Sequence, residues 1–276
     1  MICFLGFLLL FCSTRIHSQP PRFHVIDSML YCGALPESSE DFDFLRKAGV
    51  KTVITVDRAK PDETKADSMG LRYVRIPIGY DGIPKKAALD FLKLLRTPEI
   101  QGPYYLHCHG GKYRSGAMAA IYRIGVNHWS NDSALAEMTH YAGDEKYLGL
   151  IKSVQKFKSP SEKDLVKYKY DPNAPIPAMP LADQMGDIQR LWKALQKLAK
   201  SGDEKDEMKG MAIGLQEHFA EIYRLKTCEK CDMQGFKALQ EMSTQFQLMQ
   251  KTLDFSPGTL AKVEEGCTSC HKRLRD

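Results

Sequence analysis

The sequence predicts an α/β layered domain over residues 20–158, followed by an all-α four-helix bundle over 181–276. Three observations carry this reading. Residues 20–158 alternate β-branched or aromatic runs with segments of helical spacing. From Leu181 onward no strand signal remains, and apolar residues recur at three-four spacing. Between the two lies 159–180, which holds Pro160, Pro172, Pro175, Pro177 and Pro180 and reads as an extended, Pro-rich linker.

The elements follow in order. Residues 2–12 form a short apolar run, with a small residue, Ser18, after the polar stretch behind it. Residues 1–18 therefore read as a secretory signal, too short to span a membrane. Cys12 is a poor lipid-attachment site, because Phe11 precedes it. No later segment is apolar enough to span, so no integral membrane span is expected in the mature chain. Strands are expected at Val50–Val56, Leu71–Ile78 and Tyr104–Cys108. Helices are expected at Ser38–Ala48, Lys85–Arg96, Ser115–Val126 and Ser133–Tyr141. In the bundle, one stripe runs through Met185, Ile188, Trp192, Leu195 and Ala199, and a second through Met208, Met211, Leu215, Phe219 and Ile222. Two more begin at Phe236 and Leu260, and Pro257-Gly258 marks the last turn. Trp192 reads as core, and His218 as a partly exposed residue of the second helix.

The chemistry concentrates at His107-Cys108-His109-Gly110-Gly111-Lys112-Tyr113-Arg114-Ser115. A strand-like run precedes it and a small-residue helical run follows. Strand, glycine-containing loop and helix N-terminus make an anion site, in which backbone N–H groups of residues 109–114 face the ligand. A cysteine there is a nucleophile candidate, because the same field favours thiolate. Arg114 offers a planar fork of donors to two phosphate oxygens. The bland alternative is an inert buried cysteine beside a surface arginine.

Cys, five residues, Arg, then Ser resembles the signature of the protein tyrosine and dual-specificity phosphatases. Phe23-His24-Val25, Leu30-Tyr31-Cys32-Gly33-Ala34-Leu35-Pro36 and Gly49-Val50-Lys51-Thr52-Val53-Ile54 resemble the opening of their compact members. Cys32 departs from that pattern, where arginine is more usual. The resemblance implies a mixed sheet flanked by helices and hydrolysis through a phosphocysteine on Cys108. It implies that Ser115 eases departure of the sulfur. It also implies a general acid on an upstream loop. Asp81, 27 residues before Cys108, suits that loop; its alternative is a turn-forming Asp-Gly. Asp57 and Asp62 are rivals that sit further back. Lys112 resembles the extra loop lysines of lipid-directed members, with simple exposure as the alternative.

A second motif closes the chain. Cys267-Thr268-Ser269-Cys270-His271 is a C-x-x-C-H pentapeptide, the attachment pattern of covalent haem c, with His271 as an axial iron ligand. Residues 181–276 resemble cytochrome c-prime and its four-helix relatives, which implies Met185 as a sixth ligand. Up-down-up-down topology would put Met185 and His271 at one end of the bundle. Met185 as core filler is the alternative. Cys228 and Cys231 lack a following histidine and read as a local disulfide, or, with Cys267 and Cys270, as a tetrahedral zinc site.

The formal net charge of +5 is mild and gives no argument for nucleic acid. The expected partners are a phosphorylated protein or small phosphate ester, and a redox partner for the haem domain. Export, to a bacterial periplasm, would suit covalent haem. Two other functions stand open: a cytochrome whose phosphatase-like domain only binds, and a phosphatase with a zinc-stabilised interaction domain.

Overall fold

The computed structural model describes residues 19–276, apart from Lys60, Asp62, 143–146, Pro175, 177–179, Asp203, Thr227, Lys230 and Asp276, and gives only the backbone of 273–275. The expected signal segment, 1–18, and Asp62 therefore lie outside the described residues. The N-terminal elements are β1 (His24–Val25), β2 (Leu30–Gly33), α1 (Ser39–Lys47), β3 (Thr52–Thr55), α2 (Glu63–Ser68), β4 (Arg72–Arg75), α3 (Lys85–Leu94), β5 (Tyr104–His107), α4 (Arg114–Gly125), α5 (Asn131–Ala142), α6 (Leu148–Lys156) and α7 (Glu162–Lys167). The C-terminal region holds α8 (Leu181–Ser201), α9 (Lys205–Leu225), α10 (Met233–Thr252) and α11 (Pro257–Arg275).

The sheet runs in the order β1-β2-β5-β3-β4. β1 pairs antiparallel to β2, and the remaining pairs are parallel, so the sheet is mixed. All four residues of the central strand β5 are buried, because helices cover both faces. Such a strand reads as a continuous apolar run, as Tyr104-Tyr105-Leu106 does. The carboxyl end of β5 delivers Cys108, and sites in open parallel sheets sit at that edge. Behind it, α4 is buried along its whole length, and its Gly116, Ala117, Ala119 and Ala120 permit close approach. α1 starts with a capping box: Ser38 accepts from Asp41 N, and Asp41 accepts from Ser38 N. A cap of this kind contributes about 1 kcal/mol.

The C-terminal stripes become helices that share a core around Trp192, Leu215, Phe219, Leu239 and Phe246. Gly202 ends α8 in the left-handed region at φ 82°, and Asp232 caps α10 by accepting from Gly235 N at 2.8 Å. Trp192 Nε1 donates to Glu264 of α11 at 2.9 Å.

Two expectations need correction. The linker over 159–180 is not simply extended. Ser161 caps α7, Leu165 is 1% exposed in the N-terminal core, and Lys93 Nζ donates to Leu165 O at 3.0 Å. Charged residues at 162–167 hid one apolar anchor among the prolines. His218 is buried, not partly exposed. It lies on α9 between two buried faces. One packs in the C-terminal core, and the other reaches the N-terminal domain, where Ile213 joins the main hydrophobic cluster.

Candidate active site

The loop after β5 folds as its glycines allow. Gly111 has φ +68°, and a Cβ there would collide with the backbone of Gly33 and Ala34, so no larger residue fits. The turn aims Gly111 N at Cys108 Sγ, 3.2 Å away. Ser115 Oγ lies 3.4 Å from the same sulfur. Leu35 N donates to His109 O at 3.1 Å and Arg22 Nη1 to Gly110 O at 2.7 Å, which brace the loop. His107 sits beneath it. Burial pushes its pKa down to about 4, so the ring is neutral near pH 7. The network assigns the tautomer. Nδ1–H donates to Cys108 O at 3.1 Å, and Nε2 accepts a short hydrogen bond from Tyr73 OH.

Arg114 is the first residue of α4 and is fully buried. Its guanidinium stacks over Tyr80, 4.2 Å from the ring centroid. Nη2 meets Asp57 Oδ1 at 3.4 Å. Nη1 donates to Glu221 Oε1 at 2.7 Å, and Glu221 belongs to α9. The second oxygen of Glu221 meets Arg58 Nη1 at 3.3 Å, and Arg224 Nη2 stands 3.5 Å from the first. Arg224 also bonds Asp57 at 2.9 Å. Burial alone would raise the Asp57 carboxyl, but the guanidinium groups of Arg114 and Arg224 outweigh it and hold it at about 2.

Asp81 lies on the loop between β4 and α3 and is half exposed. Its Oδ1 is 3.8 Å from Arg58 Nη2. α6 sets the loop. Ile83 N donates to Ser153 Oγ at 2.9 Å, and any side chain at Gly149 would strike the Asp81 backbone. Asp57 is the buried rival. Its carboxyl, held at about 2, is paired with Arg114 at 3.4 Å and Arg224 at 2.9 Å. Lys112 reaches sideways over Tyr113, 5.7 Å from the ring centroid, and His109 is exposed. A cavity of about 260 Å³ opens beside the site, lined by Leu35, Glu37, Thr55, Asp57 and Lys65. Cys32 is buried next to Ser115, and burial raises its thiol to about 12, an inert state.

The sequence reading discounted Asp57 and missed Arg58, Glu221 and Arg224. One signal could have found the last two. Ile213, Glu217, Glu221 and Arg224 recur at helical spacing on α9, away from its apolar stripe.

In the C-terminal region, Cys228 and Cys231 are joined by a disulfide. Cys267 and Cys270 stand as thiols one helical turn apart on α11, and burial raises Cys267 to about 11. Cys267 and Met185 pack against the same core, and the neighbouring His271 is half-buried.

Comparison with known proteins addresses the N-terminal domain. Residues 20–146 match the family described as Swiss Army Knife protein, DSP-PTPase phosphatase domain. The dual specificity protein phosphatase TpbA of Pseudomonas aeruginosa is 34% identical over 117 residues, which are 42% of this chain and 53% of that protein. The human phosphatidylglycerophosphatase and protein-tyrosine phosphatase 1 is 29% identical over 125 residues, 41% of this chain and 61% of that protein. The chain thus spans between half and two thirds of the length of these curated relatives. The crystal structure of P. aeruginosa TpbA aligns at 25% identity with a TM-score of 0.38, over 49% of this chain and 91% of that one. With the family match and these sequence relatives, the N-terminal domain is a phosphatase domain of the dual-specificity and protein tyrosine phosphatase type.

Proposed function

We propose that the N-terminal domain hydrolyses phosphate monoesters through a phosphocysteine on Cys108. The observation that carries this reading is a buried sulfur held between Gly111 N–H and the Ser115 hydroxyl, with Arg114 buried at the start of the helix that follows the loop. The Cys108 thiolate attacks phosphorus, and the bond to the leaving oxygen breaks as Asp81 supplies a proton. Arg114 and the N–H groups of residues 109–114 stabilise the equatorial oxygens. Water then attacks the phosphocysteine and gives its proton to Asp81. The S–P bond breaks, with the Ser115 hydroxyl hydrogen-bonded to the departing sulfur. The relatives carry different substrate names, so phosphate monoester is the class assigned. Asp81→Asn in the full chain is expected to slow alkyl phosphates roughly a hundredfold or more, and activated aryl phosphates far less. An equal, small effect on both would return Asp81 to a turn residue.

For the C-terminal region we propose an antiparallel four-helix bundle with covalent haem c on Cys267 and Cys270. His271 would be the axial ligand and Met185 the residue for the opposite side. The residues fit the group. Two thiols one turn apart precede a histidine, and the Met185 thioether packs against the same core as Cys267. The haem would supply one-electron redox or small-ligand chemistry. A four-cysteine zinc site is less favoured, because the Cys228–Cys231 disulfide removes two of its thiolates. The apolar run at 2–12 supports export to a compartment where such haem is attached. Protein from a host that matures c-type cytochromes should keep its colour on the chain after acid-acetone extraction. Extractable colour, or a colourless protein holding stoichiometric zinc, would refute the attachment.

A further inference from the structure

The helical region does more than follow the phosphatase domain; it covers its site. Arg114 is 0% exposed and Cys108 is 3% exposed, and the Glu221 carboxylate sits on the guanidinium that a bound anion would need. What covers them is chemically specific. Glu221 is an anion with both oxygens on guanidinium groups: Arg114 at 2.7 Å on one, Arg58 at 3.3 Å on the other. Planar guanidinium groups bind carboxylate and phosphate through the same geometry.

The contact is built rather than incidental. Glu221 lies two turns along α9 from Ile213, which is 2% exposed within the N-terminal core. Glu217, midway between them on the same stripe, accepts from the hydroxyls of Tyr80 and Tyr147. Arg224 extends the stripe to Asp57, and Lys152 of α6 pairs with Glu207 near the start of α9 at 3.3 Å. One helix face is thus matched to the mouth of the site over most of its length.

The fit is also incomplete. Among the described residues, Arg114 Nε and Asp57 Oδ2 are buried without a hydrogen-bond partner. A carboxylate has two oxygens for a fork of five donors. A tetrahedral phosphate brings more acceptors, so it can compete for Arg114 once α9 moves.

We infer that α9 is an intramolecular plug: Glu221 occupies the phosphate-binding arginine and holds the full chain in a low-activity state, relieved when the helical region shifts off the site. The inference rests on the phosphatase reading above. If only a minor fraction of molecules is open, apparent activity and anion affinity fall by that fraction.

The test compares the full-length wild type with Glu221→Gln and Ile213→Lys. The first removes the carboxylate charge that faces Arg114. The second loosens the docking face without touching the anion site. Two readouts are taken on each: tungstate affinity by calorimetry, and aryl phosphate turnover. Circular dichroism selects variants that keep their helices. The plug predicts that both variants bind tungstate about tenfold more tightly or better and gain turnover by a similar factor. Unchanged or weaker tungstate binding in a folded Ile213→Lys protein would overturn the plug, with Glu221 then serving to position Arg114. Tighter tungstate binding with no turnover in any form would uphold the plug and refute the phosphatase reading instead.

Discussion

Cys108→Ser in the full chain is expected to lower aryl phosphate turnover by about four orders of magnitude or more. A serine hydroxyl fits the same space, so the loop around Gly111 should persist. What is lost is the ionisable sulfur to which Gly111 N–H donates at 3.2 Å. Sulfur is the stronger nucleophile toward phosphorus, and an unactivated hydroxyl in its place is a poor one. Binding should survive, because Arg114 and the loop N–H groups are unchanged. Turnover near the wild-type value would mean that another group attacks phosphorus.

Arg114→Lys should cost roughly a hundredfold to a thousandfold in kcat/KM. Charge is retained, so Coulomb attraction alone predicts a small effect. The planar fork is not retained. Arg114 stacks on Tyr80 at 4.2 Å from the ring centroid while contacting Ile78 O, Asp57 and Glu221. An ammonium cannot stack and bridge these groups in one plane. A loss under tenfold in steady-state kinetics would show that charge, not geometry, carries the function.

The N-terminal fold was largely legible because its signals are local. Tyr104-Tyr105-Leu106 reads as a buried strand, and Gly116-Ala117-Met118-Ala119-Ala120 as a closely packed helix. Cys108, Arg114 and Ser115 lie on one loop and the helix start that follows it, so eight consecutive residues disclose them. Asp57 and Glu221 join the site through tertiary structure, and no local pattern links positions so far apart. α7 was hidden for a different reason. Its one apolar anchor, Leu165, is flanked by charges and prolines, where periodicity has nothing to count. His218 was misplaced because α9 was read as one-sided. A helix buried on two faces carries a second stripe, and here that stripe is written partly in charged residues.

The proposed hydrolysis passes through a covalent phosphocysteine on Cys108. The direct measurement is rapid acid quenching of the full chain during turnover of a radiolabelled aryl phosphate, followed by peptide mapping. The label should sit on the peptide containing Cys108, be released at a pH typical of a thiophosphate, and vanish in Cys108→Ser. Turnover with no label on that peptide, or label on another residue, would contradict the account.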